Sequence, residues 1–230
     1  MPDRLQNDKL EDMNFRRGSI LILLLVALSI STCASSPKAV IIFCAGDSIT
    51  AADYPRFLQK QLIRDGFRAK TINHGRSGNT SGEYLVFLSK NRARLAEKHP
   101  DFILLQLGTN DVRADRDKTS PAAFRANMKK IVELFRTFHN RKGKRSILLV
   151  ATIPPVPKGT PFPFTDRSRE RVTSEINPII KDICLEEKIP LVDNYALFLK
   201  FPELLPEVHP TLEGYRCLAG NWYEALKPLL

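Results

Sequence analysis

Val40-Ile41-Ile42-Phe43-Cys44-Ala45-Gly46-Asp47-Ser48 is the stretch from which the fold of this 230-residue chain is read. It is a short, unbroken apolar run, rich in β-branched residues, that stops at a small residue, an acid and a hydroxyl. Such a run reads as a strand buried on both faces, and therefore as part of a parallel sheet covered by helices. In open sheets of this kind ligands sit outside the carboxyl ends of the strands, which is where Ser48 falls. The plainer reading is that Asp47-Ser48 merely caps the next helix, because both residue types favour that position.

Outward from this run the pattern alternates. Residues 54–64 carry Phe57, Leu58, Leu62 and Ile63 on a helical stripe, 68–73 reads as a second strand, and 83–98 as a second helix. Residues 101–107 form a third strand as apolar as the first. Ser120 then caps a helix with Pro121 at its first position, and Phe124, Met128, Ile131, Phe135 and Phe138 follow on one face. A fourth strand spans 146–151, and the five prolines within 152–166 impose a stiff loop. Helix follows over 167–188 with a break near Pro178, then a fifth strand at 190–193 and a closing helix at 211–226. The expectation is an α/β fold, a three-layer α/β/α sandwich on a five-stranded parallel sheet, without internal repeat or second domain.

The charged and apolar fractions are those of a soluble globular protein, and the net charge of +10 favours attraction to anionic surfaces such as lipid headgroups or acidic glycans. Residues 1–32 hold as many acidic as basic side chains, so the surplus belongs to the rest of the chain. The one dense basic cluster, Arg141-Lys142-Gly143-Lys144-Arg145, lacks interleaved aromatics and reads as a solvated loop, so no nucleic-acid partner is expected. The four cysteines show no C-x-x-C spacing, and no metal site or redox cofactor is expected. Cys44, Cys184 and Cys217 read as small core residues.

The first 35 residues read as an export signal rather than as fold. Arg16-Arg17 precede nine apolar residues (20–28) and then small ones ending in Cys33-Ala34-Ser35. The run is too short to span a bilayer, and Met13 gives a more conventional start. Cys33 fits a lipoprotein signal except that Thr32 precedes it. A periplasmic, membrane-anchored or secreted location is expected, with membrane association through an N-terminal lipid or through basic charge.

Four polar clusters lie after the apolar strands or in the last loop: Gly46-Asp47-Ser48, residues 73–79 around Gly78, Gly108-Thr109-Asn110-Asp111, and His209-Pro210. Parallel strands would bring them to one edge. Acyl transfer needs a nucleophile, a base and donors aimed at the developing oxyanion. Ser48 supplies the first and His209 the second. The N–H groups of Ser48 and Gly78 with the Asn110 amide supply the donors, glycine at 78 being expected to let substrate approach the backbone. Asp47 and Asp111 are expected to brace their turns.

In these residues the chain resembles the SGNH hydrolases, or GDSL esterase/lipase family, whose four named residues match Ser48, Gly78, Asn110 and His209 in order. The resemblance covers about residues 38–227, on Gly-Asp-Ser-Ile, Gly-Thr-Asn-Asp and His-Pro-x-x-x-Gly-Tyr together. It implies a flavodoxin-like sheet and hydrolysis of ester or thioester bonds, of lipid type or on acetylated sugars, through an acyl-enzyme without cofactor. A non-catalytic glycan- or lipid-binding protein and an acyltransferase are the alternatives on the same fold. Where the family has Asp three residues before the histidine, this chain has Pro206. Glu207, Glu203, Asp193 or a backbone carbonyl could take that place; Glu207 is the favoured one, although an exposed glutamate is equally consistent with a solvated surface acid. His99 and His139 read as structural at helix ends, His74 as a loop residue that could line the site, and Phe162 and Phe164 as a wall for the acyl group.

Overall fold

The computed structural model describes residues 38–115 and 119–230. The expected export signal, the alternative start at Met13 and Cys33 lie outside the described residues. Strands β1 (Val40–Gly46), β2 (Ala69–Gly75), β3 (Phe102–Gln106), β4 (Ile147–Ala151) and β5 (Leu191–Val192) form one sheet. Its order is β2-β1-β3-β4-β5 and every pairing is parallel, the flavodoxin-like arrangement. Its helices are α1 (Ser48–Ala51), α2 (Tyr54–Arg64), α3 (Ser81–Ala96), α4 (Pro121–Arg136), α5 (Asp166–Arg171), α6 (Asn177–Glu186), α7 (Asn194–Lys200) and α8 (Leu212–Leu226).

The two-residue period of a strand sends neighbours to opposite faces, and here both faces are dry. Phe43, Ala45, Ile103, Leu105, Leu148 and Val150 pack against α3, α4 and α6. Ile42, Cys44, Phe102, Leu104, Leu149 and Ala151 pack against α2, α7 and α8, where the Tyr54 and Trp222 rings stack 6.2 Å apart. Two buried layers explain why β1 and β3 carry no polar residue until their last positions.

The structure departs from the sequence reading locally. β2 runs on to Gly75, so His74 lies in the strand rather than in the following loop. The break before Pro178 is a π-helical turn over Val172–Ile176, which absorbs the amide that proline cannot donate. The short helices α1 and α7 lie between the elements read from the sequence; each is one or two turns fixed by an aspartate cap, Asp47 on Ile49 N and Asp193 on Ala196 N. Cys44 and Cys184 are buried as expected, whereas Cys217 is only half-buried.

The end of β2 clasps α1. Asn73 Nδ2 donates to the carbonyls of Ala51 (3.0 Å) and Ala52 (3.3 Å). Gly75 packs so closely that a Cβ there would stand 2.1 Å from Ala51 N and 2.5 Å from its Cα. Those are backbone atoms that cannot rotate away. Gly75→Ala is expected to lower stability by about 2–3 kcal/mol, read as a lower urea midpoint at unchanged slope.

Candidate active site

Each cluster is positioned by a distinct local device. Asp47 caps α1, its Oδ1 accepting the Ile49 N–H at 3.0 Å. Ser48 is thereby the first residue of the helix, with an N–H that has no intrahelical acceptor. The capping reading thus holds for Asp47, and Ser48 follows the cap at the carboxyl end of β1. After β2 the chain turns through Arg76-Ser77-Gly78-Asn79, closed by Asn79 N donating to Arg76 O at 3.1 Å. Gly78 has φ +80°, which the third position of a type II turn requires. A Cβ at 78 would meet nothing within 4 Å. Backbone handedness is therefore a reason for glycine at 78 in addition to the open space for substrate expected from sequence.

The turn after β3, Thr109–Val112, is buried throughout. Asn110 Nδ2 donates to Asn79 O at 3.0 Å, which aims the amide at the Gly78 turn and leaves its second N–H available. Asp111 accepts from the N–H (2.9 Å) and hydroxyl (2.6 Å) of Ser81 at the start of α3, so it braces the site between two loops. His209 is exposed, but both neighbours, Val208 and Pro210, are buried. Thr211 N donates to Leu204 O at 2.9 Å and closes that loop. The result is a hydrogen bond of 2.8 Å between Ser48 Oγ and His209 Nε2, across 161 residues of sequence.

The carboxylate positions do not converge in the same way. Glu207 is exposed, and among the described residues His209 has no hydrogen bond to it or to any other acid. Asp193 is engaged elsewhere: it accepts from Thr152 Oγ1 (2.9 Å) and Ala196 N (3.0 Å) and pairs with Lys181 at 3.5 Å. Phe164 packs against the α3–α4 layer and Phe162 is 73% exposed. Their loop is tied to the chain beyond Asn110 by Ala114 N donating to Pro163 O at 2.9 Å. His74 packs on Phe43 with centroids 4.5 Å apart and the rings tilted by 51°. Burial, then the nearby Arg76, Arg94 and Lys98, push its imidazole down to about 4, so it is a neutral packing residue. His99 and His139 are joined by a 3.3 Å contact of the His99 ring with the His139 carbonyl. Among the described residues no group of three His, Cys, Asp or Glu side chains is placed to hold a metal.

Arg171 was not legible in the sequence. An arginine four residues before Glu175 reads as a surface helix pair. In the structure its side chain is buried, donating to the carbonyls of Asp111 (2.8 Å) and Thr119 and to Glu175 Oε2 (2.6 Å). Together with Ser168 Oγ donating to Val112 O at 2.6 Å, it fastens the turn that carries Asn110.

A model of the GDSL-like Lipase/Acylhydrolase family matches residues 44–217, a span that holds all of these clusters. The chain belongs to this family. It is therefore a carboxylic ester hydrolase by class. Esterase TesA of Pseudomonas aeruginosa is 25% identical over 219 residues, covering 91% of this chain and 98% of the relative. Among solved structures, a lipase/acylhydrolase from Enterococcus faecalis superposes with a TM-score of 0.68 at 24% identity, covering 84% of this chain and 97% of that one. The M. smegmatis aryl esterase does so with 0.65 at 21%, covering 84% and 100%. At these identities the two structures attest the fold.

Two buried acids give this GDSL family member a pH signature. Burial pushes the Asp47 carboxyl up to about 6, against smaller opposing pulls from Ile49 and Thr109. Burial raises Asp111 as well, opposed by Ser81. Between the ordinary 3.8 and about 6, the folded chain holds a proton on Asp47 that the unfolded chain has released, so stability falls as pH rises through that window. The loss amounts to about 3 kcal/mol at neutral pH. Asparagine can keep the cap without the charge. Urea denaturation of Asp47→Asn against wild type is expected to show a difference that widens in the variant's favour from pH 4 to pH 6.5, whereas a difference flat in pH would contradict the assignment.

Proposed function

We propose that this chain hydrolyses carboxylic esters through an acyl-enzyme on Ser48, with His209 as general base and then general acid. The observation that carries this reading is the 2.8 Å hydrogen bond between Ser48 Oγ and His209 Nε2 at the carboxyl edge of the sheet. A neutral imidazole that accepts at Nε2 takes the hydroxyl proton as Oγ attacks the ester carbonyl. The negative oxygen of the tetrahedral intermediate is received by the N–H groups of Ser48 and Gly78 and by the Asn110 amide. His209 returns the proton to the leaving alcohol, and water repeats the sequence to release the acid.

The acid of a triad keeps the imidazole oriented and stabilises its cation. Here the buried neighbours Val208 and Pro210 hold the backbone of His209, and water at the exposed ring stabilises the cation. The centre works as a Ser–His dyad, with slower turnover than a full triad would give. The substrate is an ester of lipid type or an acetylated sugar, with the acyl group beside Phe162 and Phe164. The names of the relatives, an esterase, a lipase/acylhydrolase and an aryl esterase, support ester chemistry and leave the acyl length to experiment. The sequence of residues 1–35 supports an exported enzyme.

A fluorophosphonate probe is expected to label wild type and not Ser48→Ala, which loses ester turnover as well. An unlabelled wild type would instead mark a binding protein, and transfer to an added alcohol in preference to water would mark an acyltransferase. Asn110→Ala is expected to lower kcat about 10²–10³-fold, the usual cost of one oxyanion donor. Glu207→Gln is expected to leave kcat/KM within about twofold, since an exposed side chain away from its partners contributes little; a larger loss would restore Glu207 as the third member. In an ester series, kcat/KM rising with chain length identifies a lipid-type substrate, each buried methylene adding about 0.8 kcal/mol. Best activity on acetyl esters identifies the sugar class.

A further inference from the structure

The strand polarity that gathers the polar clusters at one edge of the sheet gathers a second, chemically different surface at the other. Every strand is entered from that opposite edge, and the entrances are basic. Arg68 and Lys70 flank the start of β2 and Lys98 stands before β3. Lys142, Lys144 and Arg145 precede β4, and Lys188 precedes β5. All of these side chains are exposed, and among the described residues none has a carboxylate ion-pair partner. The loops are tied into one surface. Arg141 donates to the carbonyl of Ala39 at the entrance to β1, and the His99 ring contacts the His139 carbonyl at 3.3 Å.

The acids on this edge are mostly engaged. Asp65 pairs with Arg64, Glu187 with Arg136, and Asp101 accepts the Ile41 N–H at 2.8 Å. The Ser48 edge carries fewer free cations: Arg56, Arg113 and Arg169 are each paired with an aspartate, Arg76 lies over the Phe87 ring, Lys158 is exposed, and Glu203 and Glu207 are exposed. Exposed cations without a carboxylate partner are therefore denser on the strand-entrance edge. Exposed aliphatic side chains stand among the free cations. Ile147 is 40% exposed, Leu191 38% and Leu185 81%. Arg145, Lys188, Ile147 and Pro190 line a depression of about 450 Å³ that continues past Lys188 to Leu185 and Leu191.

We propose that the strand-entrance edge docks this protein on an anionic lipid surface, leaving the Ser48–His209 edge directed at the aqueous phase. Cations mixed with aliphatic side chains match a layer that offers phosphates above hydrocarbon. Single-stranded nucleic acid would call for aromatic stacking platforms, and the exposed apolar side chains on this edge are aliphatic. The chain also enters the domain on this edge, at Ala39, downstream of the apolar run at 20–28.

The test uses the full chain and two sets of vesicles, phosphatidylcholine alone and phosphatidylcholine mixed with phosphatidylglycerol. Any contribution of the apolar run is common to both, so the preference for the anionic set isolates the basic edge. Each basic residue close to an anionic surface strengthens binding about fivefold at low salt. The combined variant Lys142→Gln, Lys144→Gln, Arg145→Gln and Lys188→Gln is expected to lose at least tenfold of that preference. Arg68→Gln with Lys70→Gln, at a different strand entrance, is expected to reduce it in the same direction. Lys158→Gln with Arg216→Gln, away from this edge, is expected to leave it intact, and added salt erodes the wild-type preference. Turnover of a water-soluble ester by vesicle-bound wild type is expected to match that of free enzyme. Variants that keep the wild-type preference, a preference that survives high salt, or single-stranded RNA outcompeting the vesicles would each overturn the docking surface. Turnover lost on binding would overturn its orientation. Vesicle partition is measured without reference to turnover, so a failed docking surface and a failed hydrolase reading are told apart.

Discussion

All five strands run the same way, and this one constraint decides where everything else can be. Parallel strands need crossovers, the crossovers here are helices, and helices on both faces keep β1 and β3 apolar as far as Gln106, the last residue of β3. Backbone polarity then assigns every loop that follows a strand to one edge. A serine after the first strand, a glycine turn after the second and an asparagine after the third become neighbours without being close in sequence. The histidine, which follows no strand directly, reaches the same edge because α8 packs on the α2 face and fixes where its preceding loop ends.

Convergence to an edge is coarse, on the scale of a strand spacing. The finer placement comes from buried polar contacts between loops. Asn110 on Asn79, Asp111 on Ser81, Asn127 on the Ser81 hydroxyl and Arg171 on the Asp111 carbonyl form a chain of hydrogen bonds running from the Gly78 turn to α5. An unpaired polar group in such surroundings costs more than a hydrogen bond returns, so the network holds only in its complete form. That makes the Asn110 amide a fixed donor rather than a mobile one.

The strands, the larger helices and their caps were legible because each rests on local signals: an apolar run, a 3.6-residue stripe, a Ser-Pro start. The four clusters were legible because residue type and order both matched a known pattern. What escaped depends on contacts across long stretches of sequence. Arg171 looked like a solvated arginine because nothing local reveals that α5 lies over the Asn110 turn. That Gly78 is also required by the handedness of its turn escaped, because this is a property of the folded loop. β2 was cut short at Asn73 because a histidine before glycine looks like loop, although Phe43 on the neighbouring strand gives that ring an apolar partner. α7 was missed because a helix of 7 residues carries too few turns to show a period.

The two buried aspartates separate what stabilises this fold from what positions its site. A fully buried carboxyl held up at about 6 is a destabilising element at neutral pH, and an apolar residue of similar size would improve the core. Yet Asp47 fixes the first turn of α1 through Ile49, and that turn sets the direction of the Ser48 hydroxyl. Asp111 joins the loop of one oxyanion candidate to the helix that follows the other. The apolar layers on either face of the sheet are large enough to absorb both penalties, with Trp222, Tyr54, Phe43, Phe124, Phe135 and Phe198 all completely or almost completely buried. A fold with a thinner core could adopt the same strand order and still lack the margin to hold two carboxylates in the dry. The double covering of the sheet is therefore the physical condition under which a site of this geometry persists, and not only a consequence of its parallel strands.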